Sequence, residues 1–168
     1  MGKPETQSIN QTPLESEMPH SPISRILFIS CGIWLIGLGL YFMLLRPPLL
    51  PEDWRFMGAN PTEVQATIPG LALWLRHVFR VLGGFIMGTG LLTLLVAMKG
   101  FSNFNKWTWV VLALTGIFSV GTMSLINFQL HSDFKWLLLL PSLLWVLGLL
   151  LPIFPRKNRG TIGKKQGS

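Results

Sequence analysis

Four stretches of the chain, residues 26–45, 81–98, 107–128 and 136–154, contain no Asp, Glu, Lys or Arg and are dominated by Leu, Ile, Val, Phe, Gly and Trp. Because a helix rises about 1.5 Å per residue, roughly 18 or more such residues reach across a bilayer core of about 30 Å. A helix on the surface of a soluble domain would need a polar face for water. The four runs predict four membrane-spanning helices. The fold class expected is all-α: a polytopic membrane protein built as an antiparallel four-transmembrane-helix bundle. Composition agrees, since only 12% of the 168 residues are charged, where a soluble domain carries about a quarter. Two tails and three connections share what is left, so no soluble catalytic domain of ordinary size fits.

Residues 1–25 read as a disordered cytoplasmic tail, with Pro4, Pro13, Pro19 and Pro22 set among Ser, Thr, Gln and Glu. The run that follows is too long for a signal-peptide core and leads to no small-residue cleavage site, which makes it a retained span over 26–45. Met1-Gly2 with Thr6 loosely fits a myristoylation pattern that Lys3-Pro4 weakens, and Asn10-Gln11-Thr12 is a formal glycosylation sequon. Residues 46–70 are expected to be an interfacial outer loop. They mix five prolines (Pro47, Pro48, Pro51, Pro61, Pro69) with acids and with apolar anchors such as Trp54 and Phe56. Residues 62–66 could form one or two helical turns there. The remaining helices are expected at 71–98, 107–128 and 136–154, with a kink at Pro141, so the transmembrane domain covers 26–154 and residues 155–168 form a basic cytoplasmic tail.

The net charge of +7 would suggest nucleic acid in a soluble protein. Here the cations flank apolar runs, so no nucleic-acid partner is expected. With four spans, Lys3, Arg25, Lys99, Lys106 and the tail cations Arg156, Lys157, Arg159, Lys164 and Lys165 share one side. They outnumber Arg46, Arg55, Arg76, Arg80 and Lys135 on the other, which places both termini in the cytoplasm of a cell-membrane protein. Trp54, Trp74 and Trp136 then mark the outer interface, and Trp107 and Trp109 the inner one.

That topology gathers the polar minority at the outer end: Glu52, Asp53, Arg76, His77, Arg80, Asn127, Gln129, His131 and Asp133. Ionisable residues close to membrane depth mark function by default. Arg76 and Arg80 are one turn apart, and the same stripe continues through Gly84 and Gly88, a small-xxx-small spacing that lets helices approach. Two readings follow. Gly84 and Gly88 seat a neighbouring helix while the arginines pair with Glu52 and Asp53 to pin the loop; or Arg76, His77, Arg80, Glu52, Asp53 and His131 line a pocket for a small anionic or lipid-like ligand.

No catalytic motif, cofactor or metal is expected. His77 and His131 lack metal-ligand spacing, although an embedded enzyme using His77 with Glu52 or Asp53 is a third reading. The sole cysteine, Cys31, permits no intrachain disulfide and reads as packing, as does the hydroxyl stripe Thr115, Ser119, Thr122.

The segments Pro51-Glu52-Asp53-Trp54-Arg55-Phe56-Met57-Gly58 and His77-Val78-Phe79-Arg80-Val81-Leu82-Gly83-Gly84 give the chain a resemblance. It resembles the small four-helix bacterial membrane proteins of DoxX-like layout. The resemblance covers residues 26–154 and implies a bacterial cytoplasmic membrane and a compact antiparallel bundle; it transfers no catalytic residue. The function expected is that of a non-enzymatic structural or assembly component, in contact with membrane lipids and assembling with itself or a membrane-protein partner. The alternative is a ligand-binding or transport role at the Arg76/Arg80 end.

Overall fold

The first long helix begins at Pro22, whose fixed φ and missing N–H suit a first helical turn. In the computed structural model, which describes residues 22–99 and 106–153, this helix (α1) runs Pro22–Leu44. Residues 22–25, expected in the tail, are thus helical. The rest of that tail, the turn expected between Lys99 and Lys106, and the basic tail at 155–168 lie outside the described residues.

The connection after α1 is more ordered than a loop. It holds two short helices, α2 (Pro51–Met57) and α3 (Pro61–Thr67), each with proline in its first turn. The Asp53 carboxylate accepts the Leu50 N–H at 2.7 Å, and Gly58 ends α2 in the left-handed region at φ +62°. Asn60 caps α3 by accepting the Thr62 N–H at 3.1 Å. The turns expected at 62–66 fall inside α3; α2 was not anticipated.

α4 spans Leu71–Lys99. The third long helix, Lys106–Gln129, consists of α5 (Lys106–Gly116), a π-helical turn (Ile117–Gly121) and α6 (Thr122–Gln129). α7 (Lys135–Leu150) carries Pro141 inside it and stops short of the expected 154, because residues 151–153 form a turn around Pro152, which has no N–H to extend the ladder. All described regular structure is helical, with no strand among the described residues. α1, α4 and the Lys106–Gln129 helix are each long and apolar enough to cross a membrane; α7 is equally apolar but shorter.

α1 and α4 pack antiparallel through two glycine pairs. A Cβ on Gly90 would lie 2.8 Å from the Gly32 carbonyl oxygen, and one on Gly39 would lie 2.7 Å from that of Gly83. Within each helix the two glycines are two turns apart, so both fall on one face and the backbones close together. This corrects the expectation for Gly84 and Gly88. Their missing Cβ atoms have nothing within 4 Å among the described residues, so they seat none of the described helices.

α7 holds α1 and the third long helix together. Phe28 meets the Trp145 ring edge to face at 5.3 Å, and Ser24 Oγ donates to Gly148 O. On the other side, Trp145 Nε1 donates to Leu112 O at 2.9 Å, and Trp109 Nε1 to Leu149 O at 3.0 Å. Ser124 and Ser142 share a hydrogen bond at 2.7 Å, with Ser142 Oγ also reaching Val120 O. Large apolar side chains face outward instead, Phe85 at 72% exposure and Phe118 at 76%. This inside-out distribution is the one a hydrocarbon solvent permits, since polar groups must be satisfied internally.

Candidate ligand-binding cleft around Arg46

Helix α1 cannot continue past Arg46, because Pro47 and Pro48 follow. The N–H groups of Leu45 and Arg46 both bond to Tyr41 O, at 2.9 and 2.8 Å, which turns the chain back over the bundle. The Arg46 guanidinium then lies over the Phe79 ring, 3.6 Å from its centroid, and 5.2 Å from that of Phe42. Its side chain is only 11% exposed, and its nearest anion, Asp53, is 3.7 Å away. Nη1 donates to Pro47 O at 3.1 Å. Burial pushes the Arg46 pKa down, and Asp53, Tyr41 and Glu52 oppose that shift. An arginine starts so far above neutrality that it stays charged, so the site contains a fixed, half-desolvated cation.

Glu52, on α2, is buried and accepts a 2.8 Å hydrogen bond on Oε1 from Ser132 Oγ, itself 1% exposed. Its other carboxylate oxygen makes no hydrogen bond among the described residues. Ser132 Oγ also accepts the Phe134 N–H at 3.2 Å, so one hydroxyl ties α2 to the connection leading into α7. A second tie, Arg55 to Asp133 at 2.8 Å, lies on the exposed rim.

Two cavities meet at Arg46. One, of about 480 Å³, runs between α4 and the third long helix, walled by Phe79, Phe85, Ile86, Phe118 and Ile126. The other, of about 360 Å³, lies under α2 and contains Glu52, Asp53, Tyr41 and Ser132. Arg46, Phe42, Met123, Asn127 and Leu130 line both. The π-helical turn brings Phe118 and Ser119 to the first cavity, where Ser119 Oγ bonds Thr115 O and Thr122 Oγ1 bonds Ile117 O. A smaller space of about 220 Å³, between α3 and the start of α4, has no charged side chain in its lining.

The residues expected to form the site are therefore only partly together. Glu52 and Asp53 are in it. Arg76, His77 and Arg80 lie exposed on α4 and line neither cavity. Among the described residues neither arginine pairs with Glu52 or Asp53, whose partners are Ser132 and Arg46. His77 Nδ1 is 2.8 Å from Leu73 O on its own helix. His131, at φ +52°, is exposed with Nδ1 3.1 Å from Gln129 O. Among the described residues no three His, Cys, Asp or Glu side chains are placed to hold a metal ion. Arg46 and Ser132 are the additions. Arg46 had a visible signal: Phe42 stands one turn earlier, where an arginine can fold back on it, and two prolines follow.

No known protein family, curated protein or solved structure matches this chain.

Proposed function

We propose that the chain is an integral membrane protein of four spanning helices, with both termini cytoplasmic, that binds a lipid-like ligand at its outer end without chemical turnover. The observation that carries this reading is Arg46: a cation 11% exposed, at the junction of two cavities, with Asp53 as its ion-pair partner at 3.7 Å among the described residues. Cavities of about 480 and 360 Å³ lie within the range of roughly 300–1,000 Å³ usual for ligand sites. The fourth span in this reading is α7, whose 16 residues cover about 24 Å and which is stitched on both sides to spanning helices.

The test is thermal unfolding of the purified protein in detergent against a panel of phospholipids. At least one lipid should raise the midpoint, and Arg46→Gln should remove the effect. An unresponsive wild type, or an Arg46→Gln protein that responds equally, would overturn the proposal. Reporter fusions at each terminus test the four-span topology.

A second reading, assembly with a further copy or a partner helix, is favoured by the open face at Gly84 and Gly88, where no described residue comes within 4 Å of the missing Cβ atoms. Gly84→Leu with Gly88→Leu should lower crosslinking yield in membranes while leaving unfolding unchanged.

A further inference from the structure

We infer that the ligand of the Arg46 cleft is a zwitterionic aminophospholipid, its phosphate against Arg46, its ammonium on Glu52 and one acyl chain in the groove between α4 and the third long helix. The inference rests on the proposed binding role and specifies the chemistry of the same site.

Three observations select this occupant. The first is depth. The larger cavity follows α4 from Phe79, where the guanidinium stacks, to Thr89. The ten helical steps between them cover about 15 Å, half of a hydrocarbon core of about 30 Å, so the groove has the depth of one leaflet. Its walls are mostly apolar, with Phe85, Ile86, Phe118 and Ile126 among them, and the side chains of Thr89, Ser119, Thr122 and Asn127 in the lining each donate to a backbone carbonyl. A water-soluble acid has no use for that length; an acyl chain does.

The second is charge. The head compartment pairs one guanidinium with two carboxylates, Glu52 and Asp53, and so carries a local excess of acid. A purely anionic headgroup would meet Arg46 and be repelled by both acids. A headgroup with a phosphate followed by an ammonium satisfies both signs.

The third is the free valence of each group. Asp53 is already ion-paired with Arg46 through the Oδ2 that also accepts the Leu50 N–H, whereas Glu52, inside the same compartment, has no ion pair and one oxygen without a hydrogen bond among the described residues. A primary ammonium donates to that oxygen directly; a trimethylated one cannot. Arg46, whose Nη1 holds Pro47 O and whose Nη2 faces Asp53, has further N–H groups in its planar guanidinium for a phosphate.

The experiment is native mass spectrometry of the full-length protein released from detergent with equal phosphatidylethanolamine and phosphatidylglycerol of matched chains. Wild type should retain the ethanolamine lipid by about tenfold over the glycerol lipid, the scale of one hydrogen bond to a charged group. Glu52→Gln keeps the acceptor for Ser132 but removes the charge, and should level the two lipids without abolishing retention. Arg46→Gln should lower retention of both. Equal retention by wild type, or an unchanged preference in Glu52→Gln, overturns the inference while leaving lipid binding intact. Retention of neither lipid overturns the binding role itself. Circular dichroism of each variant, matching wild type, separates these outcomes from misfolding.

Discussion

A Cβ on Gly39 would lie 2.7 Å from the carbonyl oxygen of Gly83, and a Cβ on Gly83 would meet the Gly39 carbonyl at the same distance. The contact is backbone against backbone, so no side-chain rotation relieves it. Gly39→Ala and Gly83→Ala should each lower stability by about 1–3 kcal/mol, the usual penalty of overpacking. Gly84→Ala and Gly88→Ala, on the open face, should stay within about 1 kcal/mol of wild type. Unfolding in mixed micelles distinguishes the pairs; equal losses at all four positions would mean that α1 and α4 do not meet through Gly39 and Gly83.

Trp145 anchors α7 by its ring and by its N–H together. The indole donates to Leu112 O at 2.9 Å and occupies the space over Gly116 where a Cβ would otherwise stand. Trp145→Phe should cost about 0.5–1.5 kcal/mol for the lost hydrogen bond. Trp145→Ala should cost about 3–5 kcal/mol, because the vacated volume lies at the junction of three helices. Thermal midpoints of the two variants should therefore be clearly separated.

Two ties hold α2 down, and burial ranks them. Arg55 and Asp133 are each 61% exposed, so a double-mutant cycle on that pair should return under about 1 kcal/mol, falling with salt. Ser132→Ala leaves the buried Glu52 without its only protein hydrogen bond among the described residues, and should cost about 1–3 kcal/mol with little salt dependence. A cycle giving the rim pair the larger value would reverse this ranking.

Trp34 Nε1 is buried and has no hydrogen-bond partner among the described residues. Removing an unsatisfied donor returns part of its desolvation penalty. Trp34→Phe should leave the unfolding midpoint unchanged or raise it by up to about 1 kcal/mol of stability. A loss larger than that would show that the indole N–H is engaged in the membrane.

The apolar runs were legible because they are a one-dimensional property: length and absence of charge need no knowledge of neighbours. α3 was partly legible for a similar reason, since a capping Asn60 and a proline act within one turn. The glycine contacts were not. Gly84 and Gly88 have the spacing that close helix packing favours, yet which face of α4 meets α1 is decided by α1, whose Gly32 and Gly39 match Gly83 and Gly90. The arginines fail for a related reason. Arg76 and Arg80 share a stripe in sequence but stand on a face that no described residue covers, whereas Arg46 is drawn inward by Phe79, more than thirty positions along the chain. Burial of a cation is a tertiary fact, and only its stacking partner on the same helix, Phe42, was within local reach.

The π-helical turn at Ile117–Gly121 has a consequence for how the third long helix is keyed to α7. A wide turn holds one residue more than α-geometry would, which sets the half before it and the half after it in different phase. The first half meets α7 through Leu112 and Trp109, the second through Ser124. Forcing the same residues into a uniform α-helix, with none deleted, would swing one half by about 100° against the other. The chain could then keep the indole contacts or the serine pair, but not both. One surplus residue thus acts as the key by which two separate locks on α7 close together.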